Sequence, residues 1–118
     1  PNLSFKGKKA GVFADGSYVP IFQVPPVYPR RALERGIEGC AMLQFTVTKV
    51  GSTKDPEVLW SQPPGMFDRA AMRSALKYKY KPQIRDGQAV AVPNVKTIVV
   101  FKIDEAGKNM DYSPEGCD

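Results

Sequence analysis

The sequence predicts an α+β fold: a three-stranded antiparallel sheet with two helices packed on one face, a flexible N-terminal lead-in and an acidic C-terminal tail. Three observations carry this. Residues 41–48 and 95–103 alternate with period two, residues 66–78 repeat apolar side chains at three- and four-residue spacing, and proline and glycine clusters separate these stretches. A chain of 118 residues with 42% apolar and 25% charged side chains suits one soluble globular domain. Its expected divisions are a lead-in over 1–17, a domain over 18–103 and a tail over 104–118.

Residues 1–17 hold Lys6, Gly7, Lys8, Lys9, Gly11 and Gly16 with little apolar periodicity, hence the flexible reading. Residues 18–24 alternate weakly and give at most a short strand before Pro25-Pro26, since proline supplies no amide donor. Pro29 can open a helix at its first position, Arg30 to Arg35 are good helix formers apart from none that breaks it, and Gly36 ends it after about two turns. In the next stretch Ala41, Leu43, Phe45 and Val47 share one face. Cys40, Met42, Gln44, Thr46 and Thr48 share the other. Gly51-Ser52 is the turn to a second strand over 57–61, where Val58 and Trp60 have the same parity.

Pro63-Pro64-Gly65 precedes an amphipathic helix over 66–78, with Phe67, Ala70, Ala71, Ser74, Ala75 and Tyr78 on its apolar side. Arg69 and Arg73 lie on its polar face and read as solvated. In Lys77-Tyr78-Lys79-Tyr80-Lys81, strict alternation describes a short half-buried strand better than a stacking platform for nucleic-acid bases. Asp86-Gly87 is a turn. The last strand places Val95, Thr97, Val99, Phe101 and Ile103 on one face and Lys96, Ile98, Val100 and Lys102 on the other.

Charge and composition exclude much. Residues 104–118 hold five acids and one base, net −4, which leaves +9 for the rest of a chain of net charge +5. A body this basic favours an anionic partner. With no histidine, a Ser-His-Asp relay and a His-containing metal site are both excluded, and two cysteines are too few for a zinc cage. The pairs Asp55 and Glu57, and Asp104 and Glu105, sit in or beside turns and read as solvated rather than as an acid and base. The sequence therefore describes a non-enzyme without cofactor or metal. No apolar run approaches the roughly 20 residues of a membrane helix. The start at Pro1, with no apolar signal core, reads as a piece of a longer chain.

An ordered set of motifs adds a resemblance. Pro26-Val27-Tyr28-Pro29-Arg30-Arg31-Ala32, Glu38-Gly39 before a strand that runs toward Gly51, Pro64-Gly65-Met66-Phe67-Asp68-Arg69-Ala70-Ala71 and Tyr80-Lys81-Pro82 together resemble the C-terminal domain of TonB. The resemblance covers residues 18–103. It implies a periplasmic domain of an energy transducer, anchored in the inner membrane by a segment outside this chain and driven there by the ExbB–ExbD motor. Its partner is an outer-membrane transporter for iron-siderophore, haem or similar nutrients, whose TonB box adds as a strand to the sheet. A TonB-like domain dedicated to one transporter or signalling system is the nearest variant. A basic nucleic-acid module is a distant one, since the double-stranded RNA-binding fold ends in a helix and this chain ends its pattern in a strand.

The last strand, Val95, Lys96, Thr97, Ile98, Val99, Val100, Phe101 and Lys102, is then the expected docking edge, because an unpaired strand edge is a template for another chain. Arg31 matches the family arginine that meets an acidic group on the transporter plug. Tyr28 and Pro29 match the motif that fixes the chain as it enters the helix, with a partner contact also assigned to them. Pro25-Pro26 stands where several relatives have Gln-Pro, so the role of that glutamine does not carry over. Cys40 and Cys117 rest on parity, not on the family. Cys40 points to the face no helix covers and should be accessible, and 14 residues of tail beyond Ile103 can reach roughly 45 Å, so in an oxidising periplasm the two are expected to pair.

Overall fold

The computed structural model describes residues 2–4, 20–104 and 110–117. In chain order the elements are β1 (Asn2–Ser4), β2 (Pro20–Phe22), α1 (Arg30–Glu34), β3 (Gly39–Val47), β4 (Thr53–Gln62), α2 (Asp68–Ala75), β5 (Lys79–Tyr80), β6 (Gln83–Arg85), β7 (Gln88–Val90) and β8 (Val92–Asp104). β3 is central, paired antiparallel with β4 on one side and with β8 on the other. β1 adds to the far side of β8 at Lys102, Ile103 and Asp104, giving the order β1-β8-β3-β4. Asn2–Ser4 thus departs from the expected lead-in, whose remainder lies outside the described residues.

The alternation of β3 and β8 translates directly into layers. Ala41, Leu43, Phe45 and Val47 with Val95, Val99, Phe101 and Ile103 are buried in one cluster with residues of both helices. On α2 the buried positions are Ala71, Ser74 and Ala75, small side chains that let the helix approach the sheet closely. Phe67, just before α2, stacks on Phe101 with ring centroids 4.3 Å apart, and Tyr28 meets both rings edge-on at 5.7 Å. Burying a phenylalanine in such a cluster stabilises by roughly 2 kcal/mol.

α1 is bounded as expected. Pro29 is its N-cap, and Gly36, at φ +66°, closes it with Gly36 N–H donating to Leu33 O and Ile37 N–H to Ala32 O, the paired bonds of a Schellman motif. α2 is shorter than the predicted 66–78. Its end tightens through Lys77 N–H to Ser74 O and Tyr78 N–H to Ala75 O, which frees Tyr78 to lead into β5. Tyr78 and Tyr80 are buried and Lys79 is exposed, the alternation predicted for that stretch.

Three differences have physical causes. Val58 and Trp60 were expected to share a face, but pairing steps from Met42 opposite Trp60 to Leu43 opposite Val58 and leaves Leu59 as an extra residue. That bulge sends Trp60 to the other face. Asp86-Gly87, both at positive φ, joins β6 to β7 in a hairpin whose three-residue strands are too short to carry a periodic signal. Cys40 is fully buried rather than accessible. Its face is covered by residues 110–117, which are tied down by a Cys40–Cys117 disulfide and pack a second cluster of Cys40, Ile98, Val100 and Cys117 against Met42.

Candidate docking edge

β8 has two sides, and the direction of its amides follows from one bond. Ile103 N–H donates to the Glu38 carboxylate, 2.8 Å away and just before β3, so Ile103 faces the β3 side. Register between β3 and β8 is one-to-one from Phe101 to Val95. Alternation therefore turns the peptide groups of Val95, Thr97, Val99 and Phe101 toward β3, and those of Lys96, Ile98 and Val100 outward. The strand described on that outer side is β1, which reaches only residues 102–104. From Lys96 to Val100 the edge is about 13 Å long, room for about five residues of an added strand.

The opposite edge of the sheet, β4, is built differently. It carries two register shifts, Asp55 at φ +52°, Pro56, and the charges of Lys54, Asp55 and Glu57. Each of these devices discourages a further strand. Between Val95 and Ile103 β8 has no register shift, no positive-φ residue and no proline, and its charges are Lys96 and the buried Lys102.

The other sequence-derived site residues fall into two groups. Val95, Thr97, Val99 and Phe101 turn their side chains into the helix-covered core, while Ile98 and Val100 turn theirs into the tail-covered cluster. Their place on the edge is a matter of backbone. Lys96 is half-buried. Lys102 needs correction as a docking residue: its backbone register is taken by Ser4 of β1, and its fully buried ammonium donates to Met110 O at 2.7 Å and lies 4.4 Å from the Tyr112 ring centroid. A charge so placed has exchanged water for the tail.

Tyr28 is 5% exposed, with its hydroxyl donating to Ile37 O and its ring against Phe101, so it couples the start of α1 to β8 from inside the core. Pro29 is half-buried and Arg31 is exposed on α1. Among the carboxylates weighed as an acid and base, Asp55 is exposed, Glu57 accepts a bond from Gln44 Nε2 at 3.0 Å, and Asp104 ends β8. Glu105 lies outside the described residues.

The sequence reading missed Glu38 as an anchor. Its carboxylate accepts the Tyr112 hydroxyl at 2.6 Å as well as the Ile103 amide, joining the tail to the end of β8. The Glu-Gly pair was visible, and Gly39 has its own reason: a Cβ there would stand 2.0 Å from Gln62 O. On the helix side, burial pushes the Tyr78 hydroxyl up to about 12, with the neighbouring Ser74 side chain opposing it, and burial followed by the neighbouring Tyr78 raises Tyr80 as well.

Comparison with known proteins agrees with this architecture. A family profile described as Gram-negative bacterial TonB protein C-terminal matches residues 24–103. Protein TonB of Pseudomonas aeruginosa is 38% identical over 99 residues, covering 84% of this chain and 29% of that protein. Protein TonB of Vibrio cholerae is 36% identical over 69 residues, 58% of this chain and 28% of that protein. The chain thus spans under a third of these relatives. The solution NMR structure of the Pseudomonas aeruginosa TonB C-terminal domain superposes with a TM-score of 0.61 at 38% identity, over 77% of this chain and 91% of that one. A structure of the TonB2 protein from Vibrio anguillarum gives 0.56 at 42%, over 79% and 89%. A family match over residues 24–103, most of the chain, means that the chain belongs to the TonB C-terminal family.

Proposed function

We propose that this domain is the periplasmic part of an energy transducer, that it binds the TonB box of an outer-membrane transporter by strand addition along the outer edge of β8, and that it passes inner-membrane proton-motive energy to that transporter for nutrient uptake. The observation that carries the reading is the regular, bulge-free edge from Lys96 to Val100. In strand addition the backbone supplies affinity, and pockets for alternate side chains supply specificity. The ExbB–ExbD motor and the inner-membrane anchor belong to this reading through the family. Arg31 supplies a planar, charge-assisted contact to a carboxylate on the transporter plug, and Pro29 fixes the helix that presents it.

Titrating the 15N-labelled domain with a TonB-box peptide tests the edge. Amide shifts are expected at Lys96, Ile98 and Val100, and a peptide N-methylated at alternate residues should lose binding in one methylation phase and keep it in the other. Proline at Lys96, the least buried of the three, removes an outward donor and should abolish binding. Shifts confined to α2 would reject the proposal. For Arg31, Arg31→Lys should weaken the intact transporter more than the isolated peptide, and equal weakening of both would reject that role.

A further inference from the structure

A second surface lies on the helix layer. The segment 24–30 runs beside α2, held there by the Ser74 hydroxyl donating to Val24 O, and between them lies a groove of about 690 Å³. α2 packs over β4 and β3, so the groove sits away from the outer edge of β8. The 24–30 segment contributes the apolar side chains Val24 and Val27, and Val27 is 76% exposed, while Met66 lies at the start of the α2 side. The other carries Arg69, Arg73 and Lys77, with Arg30 across from them at the start of α1. All four cations are exposed, and among the described residues no carboxylate lines the groove and no ion pair engages them.

Spacing specifies the occupant. Residues 69, 73 and 77 recur every four positions along α2 and the turn that closes it, which sets successive cations about 6 Å apart. In an extended peptide, side chains on one face recur about every 6.6 Å. A segment alternating acidic and apolar residues would set its carboxylates along the cationic stripe and its apolar side chains against Val24 and Val27. Nucleic acid fits less well, because bases need an open aromatic face and Tyr28, the aromatic residue in the groove, is buried against Phe67 and Phe101. The chain's own Glu115 belongs to the tail held on the opposite face of the sheet by Cys117.

We propose that this groove docks an extended segment of a protein partner in which acidic and apolar residues alternate, independently of the β8 edge. The test uses the intact domain and an end-capped Glu-Val-Glu-Val-Glu-Val peptide, with a Glu-Glu-Glu-Val-Val-Val isomer of equal charge as the control, read by calorimetry and 15N shift mapping. The alternating peptide should shift Val27, Arg69, Arg73 and Lys77 and bind more tightly than the blocked isomer. Affinity should fall at least about tenfold in Arg69→Glu/Arg73→Glu, whose exposed positions leave the domain folded. Equal binding of both peptides, shifts only at β8, or no binding of either peptide while an oligothymidylate or phosphatidylglycerol vesicles bind through the same arginines would each overturn the proposal.

Discussion

Neighbouring residues of β8 face two different interiors. Phe101 enters a cluster built by α1, α2, β3 and β8, with rings of Phe67 and Tyr28 against it. Val100 enters a cluster of four buried side chains under a tail, closed by the Cys40–Cys117 bridge and by the Tyr112–Glu38 and Lys102–Met110 bonds. The first face is held by apolar area, which is non-directional and cooperative. The second is held by a few specific links. The difference teaches that one strand can owe its place to two unlike supports, a broad core on one side and a tethered strap on the other.

The largest expected effect tests the broad face. Phe101→Ala removes a ring that touches two others and should cost about 4 kcal/mol in a urea titration. A loss near 1 kcal/mol would mean that the helix layer is loosely packed, and the comparison would break. Cutting the strap comes next. Cys40→Ala/Cys117→Ala opens a link across 77 residues and should cost about 3 kcal/mol, less than the full loop-entropy figure because the released tail regains freedom. The aromatic near-ultraviolet signal of the helix face should survive at low denaturant. Its disappearance would make the tail a full part of the core.

How far the sequence disclosed these faces depends on how each is encoded. The helix side follows from period two in residues 41–47 and 95–103 and from the small residues Ala71 and Ala75, so three strands, the β3–β4 hairpin and both helices were legible, while the central place of β3 and the addition of β1 were not. The tail side has no period to read. Its links are single side chains, and two of them, Glu38 to Tyr112 and Lys102 to Met110, join residues that only the folded sheet brings together. Parity placed Cys40 on the correct face and suggested its partner, yet an uncovered face was inferred from the lack of a third helix. The proposed docking edge was legible as a strand without a tight hairpin on its far side. Which of its amides point outward came only from the Glu38–Ile103 bond.

Alkaline pH distinguishes the faces chemically, with a smaller effect. Tyr78 packs against Phe45 on the helix side, and its ionisation is raised from the ordinary tyrosine range to about 12. The folded state therefore holds a proton that the unfolded chain releases near pH 10, so this contribution is whole below about pH 10 and is lost as pH rises through about 12. The loss should be on the order of 2 kcal/mol, with Tyr80 acting in the same direction. Urea titrations across this window check it, and Tyr78→Phe should flatten the decline. An equal decline in that variant would move its origin elsewhere in the molecule.

The smallest effect isolates one link of the strap. Tyr112→Phe keeps the ring over Lys102 and removes only the hydroxyl that donates to Glu38, while Glu38 retains the Ile103 amide. With the bridge intact the expected cost is about 1 kcal/mol, the net value of one hydrogen bond. In the Cys40→Ala/Cys117→Ala background the tail is no longer confined, the hydroxyl must find Glu38 against the entropy of a loose segment, and the same substitution should cost only a few tenths of a kcal/mol. The difference between the two backgrounds is a coupling energy, read from four urea curves. A clearly positive coupling means that the bridge and the hydroxyl act as one strap. Equal costs would mean that residues 110–112 dock on the end of β8 without the disulfide, and that the two faces are more alike than their composition suggests.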